Sequence, residues 1–589
     1  MKLHRKLWAL LVVTMMVLSM AACQTAAPTA VPSTPAPTTE VAATDTPPTT
    51  APAPEALTIT VFSETSNYAG DQPGWFGKMI KDKFNLTLSI EAPQVGGGGD
   101  AVFATKLVSG DLGDYIQFGD NAEHIKQAID AGLLLDWTKN DLLTKSAPNI
   151  MQYYPSAIEY NKSQYGKGTA VYGIGHSLAT SNKGPGELLD FTWGPYVRWD
   201  LYAKLGYPAV NEMEDYLKIF KDMQALEPTT ADGKPVYAFS FWKDWDGSHM
   251  MNAKQFACMQ GYNDDTGGVV LVHYSEPKYQ DVLQEDGYYL RTLKMYFDAN
   301  QMGLVDPDSP TQNWDAMYAK ATAGQFLFSW FSWLRPMNTA ENTAAGKGLM
   351  LVPFKQEVVC SYGMNIYGGQ RITAIGVNCK YPDRVLQLID WQCSPEGTME
   401  NYDGPKGLAW DYNADGKPVL TEFGETVKLS PTSAVPDEWG GGTWDKGGNQ
   451  FANGIVNNSS FSPVTGESYL WDGWSTTLAN PKLTTKLDQD WQAKMGASSS
   501  VDWFKKNGKF AVSVPTATKV DTTLPDDLKA KLDQIGAVIK EYSWKMVFAK
   551  DQAEFDNLKA EMIEKAKGLG YDDVKAANIK MAEQLFALR

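Results

Sequence analysis

The stretch LTITVFSETSNYAGDQPGWFGKMIKDKFNLTLSIE, residues 57–91, decides the fold of this chain. Residues 57–62 alternate apolar with polar or β-branched side chains, which is typical of a strand, and residues 86–91 repeat the alternation. Between them, residues 75–84 carry apolar side chains at helical spacing. A strand, a helix and a second strand in this order predict the beginning of a parallel sheet that is covered by helices.

The same pattern continues towards the carboxyl terminus. Residues 100–109 have helical spacing, and the glycine-containing turn at 110–114 leads into a short apolar run at 115–118 that predicts a third strand. Residues 123–131 predict another helix, which ends at Gly132. Repeated alternation of strands and helices predicts an α/β fold.

Upstream of the fold, residues 1–22 have the pattern of a secretory signal peptide. Basic residues precede an apolar run at 7–20, and this run is too short for a stable membrane span. The small residues directly before Cys23 resemble a bacterial lipobox, which implies that a diacylglycerol is attached to this cysteine. The alternative is an ordinary signal peptide with a chance cysteine. Lipid attachment would hold the folded part at the extracytoplasmic face of the cell membrane.

Residues 23–56 are almost entirely Thr, Ala and Pro and show no periodic apolar pattern. Such a segment cannot bury a core, and its prolines keep it extended. We therefore expect a semi-rigid linker between the lipid and the folded part.

Charge and cysteine content limit the classes of partner. The chain has 589 residues and a formal net charge of -17, and the predicted signal peptide removes three basic residues and no acidic ones. An acidic surface disfavours nucleic acid and anionic membranes, so we expect neither as a partner. It also favours neutral ligands. Beyond Cys23, four dispersed cysteines lack metal-ligand spacing and are compatible either with two disulfides or with buried thiols.

Several longer stretches resemble a known family in the right order. They include KLVSGDLGDYIQF at 106–118, the run from YVRWDLYAKLGY to MQALEP at 196–228, KATAGQFLFSWFSWLR at 320–335 and RITAIGVNCKYPDRVLQLIDWQCSPEG at 371–397. The chain resembles the extracellular solute-binding proteins of carbohydrate ABC transporters, a maltose-binding-protein-like class, in its large lipoprotein branch. The resemblance covers the whole chain after residue 56.

The resemblance implies a two-lobe, periplasmic-binding-protein-like fold with a hinge and an interlobe ligand cleft. We expect the chain to cross between the lobes near 173–198 and 371–378. The predicted organisation is a signal peptide at 1–22, a linker at 23–56, lobe one at 57–185 and 375–460, and lobe two at 196–370 and 461–589.

A sugar-binding site needs aromatic rings for the C–H faces of sugars and polar side chains for their hydroxyls. In the resembled proteins, a helix ends in a Trp-bearing strand at the cleft, which implies that Trp330 or Trp333 stacks on the ligand. The alternative for any single tryptophan is a structural role in the core.

Further candidates come from sequence context. They share a place at a predicted strand end or in a glycine-rich loop, where ligands bind in open α/β sheets. In lobe two they are Trp242, Asp244, Trp245 and Asp246; in lobe one, Glu64 and Asp114; and in later loops, Trp439, Trp444, Trp471 and Asp472.

Residues 411–422 match the spacing of a calcium loop, D-x-N-x-D-G-x5-E. The ligands would be Asp411, Asn413, Asp415, the Lys417 carbonyl and Glu422. Because Pro418 replaces the usual apolar residue and DGKPV recurs at 232–236 in a predicted turn, we favour a β-hairpin and expect no required cofactor.

No catalytic motif stands out, since the five histidines are scattered and the sequence lacks G-x-S-x-G and phosphate-loop patterns. We therefore expect a monomeric, non-enzymatic receptor that captures an oligosaccharide and delivers it to the permease subunits of an ABC importer. The alternatives are a surface-anchored polysaccharide hydrolase, or a peptide or sensory receptor on the same scaffold.

Overall fold

A computed structural model describes residues 55–93, 95, 99–119, 121–368, 371–451, 454–518 and 523–589. The predicted signal peptide, Cys23 and the linker up to residue 54 lie outside the described residues. No helix in the described part of the chain is long and apolar enough to cross a membrane.

The strands β1 to β16 are Leu57–Ser63, Gly70–Asp71, Leu86–Glu91, Tyr115–Gln117, Gly173–Gly175, Trp193–Arg198, Tyr262–Asn263, Val270–His273, Tyr279–Asp281, Phe328–Phe331, Leu349–Leu351, Val359–Tyr362, Ile372–Ile375, Trp410–Tyr412, Pro418–Leu420 and Phe510–Ser513.

The helices α1 to α22 are Gly74–Phe84, Gly99–Ser109, Ala122–Asp130, Leu142–Ser146, Pro148–Tyr153, Pro155–Gln164, Trp199–Lys204, Asp215–Leu226, Met251–Cys258, Tyr288–Gln301, Trp314–Thr322, Ala340–Ala344, Pro382–Gln392, Pro395–Asp403, Glu422–Leu429, Trp444–Gly447, Ser475–Leu478, Lys486–Met495, Ser500–Asn507, Asp526–Val547, Gln552–Gly568 and Tyr571–Leu588.

The stretch that begins the fold forms the middle of a six-stranded sheet with the order β2-β3-β1-β4-β13-β5. Strand β1 pairs in parallel with both β3 and β4, as the strand-helix-strand pattern predicts. Strand β13 returns from late in the chain and pairs antiparallel with β4 and β5. The α/β prediction is therefore confirmed, with an antiparallel edge that the local pattern did not indicate.

Both faces of this sheet are buried. Because side chains alternate along each strand, successive residues enter different cores. On β1, Ile59 and Val61 belong to the apolar core on one face, and Phe62 belongs to a smaller core on the other. Strand β4 divides its side chains in the same way, with Tyr115 in the larger core and Ile116 in the smaller one. The helices before and after these strands cover the two faces.

A second core is built around the antiparallel sheet β10-β6-β11. It gathers apolar side chains from helices α8, α9 and α10 and from the carboxyl-terminal helices α20, α21 and α22. Helix α20 packs against α10, which ties the end of the chain to this core. Two cores on separate sheets give the molecule its two-lobe α/β architecture.

Three chain segments run side by side between the two cores. Leu178 forms β-bridges with both Asn365 and Val456, and Pro185 forms a bridge with Gly363. The Gly186 carbonyl accepts a hydrogen bond from the side-chain amide of Asn457 at 3.0 Å. The segments at 178–185 and 363–365 lie near the predicted crossings at 173–198 and 371–378.

Core membership after residue 460 differs from the expected division. Tyr469 and Trp474 are buried in the core of the six-stranded sheet, although we expected residues after 460 to belong with the second lobe. Trp491 and the residues after it join the second core. All four described cysteines are free thiols, and three of them are buried, so the structure has the buried-thiol alternative.

Candidate ligand-binding cleft

Four tryptophans that the sequence singled out come together at one end of the second core. Trp242 meets the rings of Trp245 and Trp330 edge-on, with centroids 5.3 and 6.0 Å away. Trp333 lies 6.0 Å from Trp245. A fifth indole, Trp314, completes this group, which we call the tryptophan cluster. Edge-to-face and offset contacts at these distances are the favourable geometries for aromatic pairs.

The members of the cluster differ in their access to solvent. Trp245 and Trp333 are 43% and 51% exposed, and Trp314 is half-buried. Trp242 is fully buried, and Trp330 is buried with its indole N–H donating to the Tyr296 hydroxyl at 2.8 Å. Trp330 and Trp242 are therefore core residues that support the exposed rings, and of the expected pair only Trp333 presents its ring to solvent.

Sequence reasoning missed Trp314, which is the first residue of α11. Its indole stacks on that of Trp245 with centroids 4.4 Å apart and an angle of 20° between the planes. Tyr318, four residues later on the same helix face, is 42% exposed and lies 5.5 Å from Trp314. An aromatic pair at that spacing after the N-cap residue Asn313 could have indicated this exposed platform.

The two aspartates that flank Trp245 hold the cluster in place. Asp244 accepts a hydrogen bond from the Trp314 backbone N–H at 2.6 Å, so it fixes the start of α11. Asp246 accepts from the Met251 N–H and from the Trp544 indole N–H, both at 2.8 Å. Burial raises the pKa of Asp246. Both carboxylates therefore position the platform, and their bonds are to protein groups.

A cavity of about 710 Å³ opens beside the cluster, and Trp333 lines it. Its wall contains residues of the second core, such as Met350 and Trp491. It also contains Lys428 and Asp472, whose neighbours in the sequence pack in or against the core of the six-stranded sheet. The volume is within the range of about 300–1,000 Å³ that is typical of ligand pockets. We call this cavity with the exposed indoles the cleft.

Polar groups in the wall are mostly neutral hydroxyls and amides. They are Ser332, Asn338, Thr343, Thr477, Thr484, Gln492, Ser498, Ser499 and Ser500. The charged side chains of the wall are engaged with one another: Arg335 contacts Asp190 at 2.8 Å, and Lys428 contacts Asp472. Asp488 accepts from the backbone N–H of Thr485 at 3.0 Å and closes the capping box of α18.

The expected carboxylates of lobe one lie elsewhere. Glu64 is half-buried, accepts from the Gly119 N–H at 2.8 Å and pairs with His124 Nδ1 at 2.7 Å. The His124 ring stacks on Phe103 with centroids 3.9 Å apart. Asp114 accepts from the Thr60 N–H at 3.0 Å. Neither Glu64 nor Asp114 lines the cleft. Glu64 joins the chain after β1 to the chain after β4, and Asp114 joins the start of β4 to the middle of β1.

The later tryptophans form a separate stack in the first core. Trp444 packs between Trp75 and Trp471, with centroid distances of 4.8 and 5.9 Å and nearly parallel planes. Trp444 is only 8% exposed, and Trp439 packs against the same core. We expected a ligand-binding loop here, but the glycines allow close backbone approach: Gly440 has φ 110° and lies against the Gly74 carbonyl. Of this group, Asp472 alone lines the cleft.

The calcium-like loop forms the favoured β-hairpin between β14 and β15. The Asn413 side-chain oxygen accepts from the backbone N–H groups of Asp415 and Lys417, both at 3.0 Å. The Lys417 carbonyl accepts from the Asn413 N–H, and Glu422 begins α15. Two of the expected oxygen ligands, the Asn413 side-chain oxygen and the Lys417 carbonyl, thus accept hydrogen bonds within the turn. Among the described residues, no group of three or more His, Cys, Asp or Glu could hold a metal.

Solved structures of other proteins share this architecture. No family model and no curated protein matches the sequence. Among solved structures, alginate-binding protein AlgQ2 is 17% identical with a TM-score of 0.56, covering 90% of this chain and 98% of its own. The Streptococcus pneumoniae ABC-transporter substrate-binding protein FusA, in complex with kestose, is 16% identical with a TM-score of 0.56, covering 90% of this chain and 100% of its own. This chain has the fold of a solute-binding protein.

A third solute-binding protein extends the comparison to another bacterium. The HMO-binding, ABC-transporter-associated protein from Bifidobacterium longum infantis is 14% identical with a TM-score of 0.56, and the match covers 90% of this chain and 99% of the other. The solute-binding fold therefore extends over nearly the full length of each of these chains, and the two-lobe prediction is confirmed.

Proposed function

We propose that this protein is the substrate-binding component of an ABC importer and captures an oligosaccharide in its cleft. The observation that carries the proposal is the tryptophan cluster, in which Trp245 and Trp333 are exposed and Trp333 lines the 710 Å³ cavity. Trp245, Trp314 and Trp333 offer flat apolar rings, and the adjoining wall offers hydroxyls and amides. Sugars combine flat C–H faces with hydroxyls, so this pairing of surfaces matches their chemistry. The solute-binding fold, and the sugars named for FusA and the HMO-binding protein, support it.

Binding energy would come from burying the sugar faces on the indoles and from hydrogen bonds to the wall. The buried Trp242 and Trp330 hold the exposed rings before any ligand arrives, so little side-chain entropy is lost on binding. Binding of this kind requires neither a covalent step nor a cofactor.

The lobes in this proposal follow the two cores. Lobe one consists of the six-stranded sheet with the returning segment up to Trp474, and lobe two contains the second sheet and the carboxyl-terminal helices. The three adjacent segments near Leu178 and Pro185 would act as the hinge. Closure of the cleft around a ligand would then report occupancy to the permease subunits.

Anchoring belongs to the same proposal. A lipid on Cys23 and the extended linker at 23–56 would tether a monomeric receptor to the extracytoplasmic face of the cell membrane. These elements are supported by the sequence pattern alone. Mass spectrometry of the protein purified from membranes would detect the diacylglycerol on the peptide that begins at Cys23.

The hydrolase alternative requires a general acid and a base or nucleophile across the cleft. The carboxylates of the described wall are Asp190, Asp472 and Asp488, and each of them is engaged with a cation or a helix cap. This arrangement favours binding without hydrolysis.

The experiment is a thermal-shift screen of the fragment 55–589 against oligosaccharides, with chromatography of each sugar afterwards. A raised melting temperature with the sugar recovered intact supports the proposal. Cleavage products would favour the hydrolase, and stabilisation by peptides alone would favour a peptide receptor.

A further inference from the structure

The two cations that line the described wall of the cleft are both neutralised by the protein itself. They are Arg335, which comes from the loop after β10, and Lys428, which comes from α15. A ligand carboxylate would need one of them, or a comparable unengaged cation, because burying an unpaired charge is costly. Whether these two side chains are paired within the protein or free therefore decides whether the cleft accepts a sugar that carries a carboxylate.

Arg335 is held on three sides. Its Nη2 donates to Asp190 Oδ2 at 2.8 Å, its Nε donates to the Ser332 carbonyl, and its guanidinium lies over the Tyr196 ring at 4.8 Å. Asp190 is itself fixed by the Ser500 hydroxyl at 2.7 Å. Burial opposes the charge on Arg335, but the attraction of Asp190 outweighs it and raises the pKa of the guanidinium.

Lys428, on another part of the wall, is also held by a carboxylate. Its ammonium group donates to Asp472 Oδ1, and only 14% of its side chain is exposed. A further carboxylate, Asp403, is buried behind this pair and accepts from the Trp471 N–H at 2.8 Å. Asp488 adds a third acidic side chain to the wall. The wall thus has more acidic than basic groups, and the rest of its polar lining is neutral.

We propose that the cleft is specific for neutral oligosaccharides and excludes sugars that carry uronic acids. This inference rests on the proposed function. Asp190 and Asp472 are the specificity-determining residues, because each forms an ion pair with a cation that would otherwise be available to a ligand carboxylate. The formal charge of -17 on the whole chain adds long-range repulsion of anionic ligands. Hydroxyl groups of a neutral sugar, in contrast, can bond to the serine, threonine and amide side chains without displacing an ion pair.

The test compares one sugar in two forms. A neutral oligosaccharide that binds the wild-type protein is oxidised at its primary hydroxyls, which converts its sugar units to uronates while the linkage and chain length stay the same. Isothermal titration calorimetry at low ionic strength measures Kd for both forms, since salt would screen the charge effect. We expect the oxidised form to bind at least about tenfold more weakly to the wild-type protein, a loss of the size that follows from one unmet charged group.

Two substitutions release the cations one at a time. Asp472→Asn frees Lys428, and Asp190→Asn frees Arg335; each should tighten binding of the oxidised sugar by about tenfold, because a bond to a charged group becomes available. The matched control is Asp222→Asn, which releases Lys218 on α8 from an ion pair of the same kind that does not line the cleft. This control should change neither affinity. Melting temperatures of all variants check that the fold is retained.

The outcomes separate this inference from the proposed function. Equal or tighter binding of the oxidised sugar by the wild-type protein overturns the inference and leaves oligosaccharide capture intact. Binding of uronate-bearing sugars without binding of any neutral sugar has the same meaning. So does an affinity for the oxidised sugar that is the same in Asp472→Asn, Asp190→Asn and the control Asp222→Asn. Absence of binding by every neutral and acidic sugar overturns the proposed function, and the inference with it.

Discussion

The indole rings of Trp245 and Trp314 stack on each other with centroids 4.4 Å apart, although the two residues are 69 positions apart in the sequence. Each ring shields one face of the other, and the buried Trp242 meets both of them edge-on at 5.3 and 5.2 Å. Asp244 fixes the backbone of Trp314. The exposed surface of the cluster is therefore rigid before a ligand binds, which lowers the entropy cost of stacking a sugar on it.

Replacing Trp314 with Ala should weaken oligosaccharide binding by about tenfold or more, since buried aromatic anchors contribute roughly 2 kcal/mol or more to binding. The same change at Trp333 should act in the same direction, because its ring is 51% exposed and lines the cavity. Calorimetric Kd values measure the effect. Trp503→Ala is the matched control, since Trp503 is partly buried on α19 and does not line the cavity. Unchanged affinity in folded Trp314→Ala and Trp333→Ala proteins would show that these two indoles do not contribute to sugar binding.

Trp330 should behave as a core residue. Trp330→Ala removes a ring that is 2% exposed and leaves the Tyr296 hydroxyl without its indole donor, so we expect the free energy of unfolding to fall by about 3–5 kcal/mol. Trp330→Phe keeps most of the packing and should cost less. Denaturant unfolding measures both changes. If Trp330→Ala instead kept wild-type stability and lost affinity for the sugar, Trp330 would be a ligand-contacting residue.

Glu187 should make the hinge region less stable as the pH rises. Burial raises the pKa of this carboxyl to about 7, although Ser361 and Thr192 donate hydrogen bonds to it. The folded protein therefore keeps the proton that the unfolded chain releases near its ordinary pKa of 4.5. The contribution of Glu187 is most favourable below pH 4.5, declines as the pH rises to about 7 and is constant above it, a change of roughly 3 kcal/mol at about 1.4 kcal/mol per pH unit.

Urea unfolding of the wild-type protein and of Glu187→Gln at pH 5 and pH 8 isolates this contribution. The difference in unfolding free energy between the two proteins should move in favour of the variant as the pH rises. Equal pH dependence in both proteins would show that Glu187 stays ionised in the folded state.

The β14–β15 hairpin should be independent of calcium. A chelator should leave the melting temperature of the wild-type protein unchanged, because protein hydrogen bonds close the hairpin, two of them accepted by the Asn413 oxygen. Asn413→Ala should lower the unfolding free energy by about 1 kcal/mol through the loss of those bonds, equally with and without added calcium. A calcium-dependent melting temperature in the wild-type protein that disappears in Asn413→Ala would instead establish a metal site.

Local periodicity was sufficient to predict the early part of the six-stranded sheet. The expected strands at 57–62 and 86–91 agree with β1 and β3, because alternating side chains on a two-sided sheet leave a clear pattern in a short window. Strand β13 could be assigned to the same sheet only through the family resemblance, since its pairing with β4 joins residues more than 250 positions apart.

The candidate site was harder to predict, because the burial of a tryptophan depends on distant partners. Trp330 and Trp333 are three residues apart, yet the first is bonded to Tyr296 in the core and the second faces the cavity. Trp444 follows three glycines, but their positive φ angles bring the backbone close to Gly74 and bury the ring against Trp75. Trp314 was missed because its stacking partner Trp245 is distant in sequence, and the Trp314–Tyr318 spacing on α11 was its one local signal.

Calorimetric titration of the protein with neutral oligosaccharides, followed by chromatography of the recovered sugar, tests the central claim most directly. We predict saturable binding to the wild-type protein, weakened in Trp314→Ala, with every sugar recovered intact. Cleaved sugar, or a failure of the whole panel to bind the folded protein, would contradict the account.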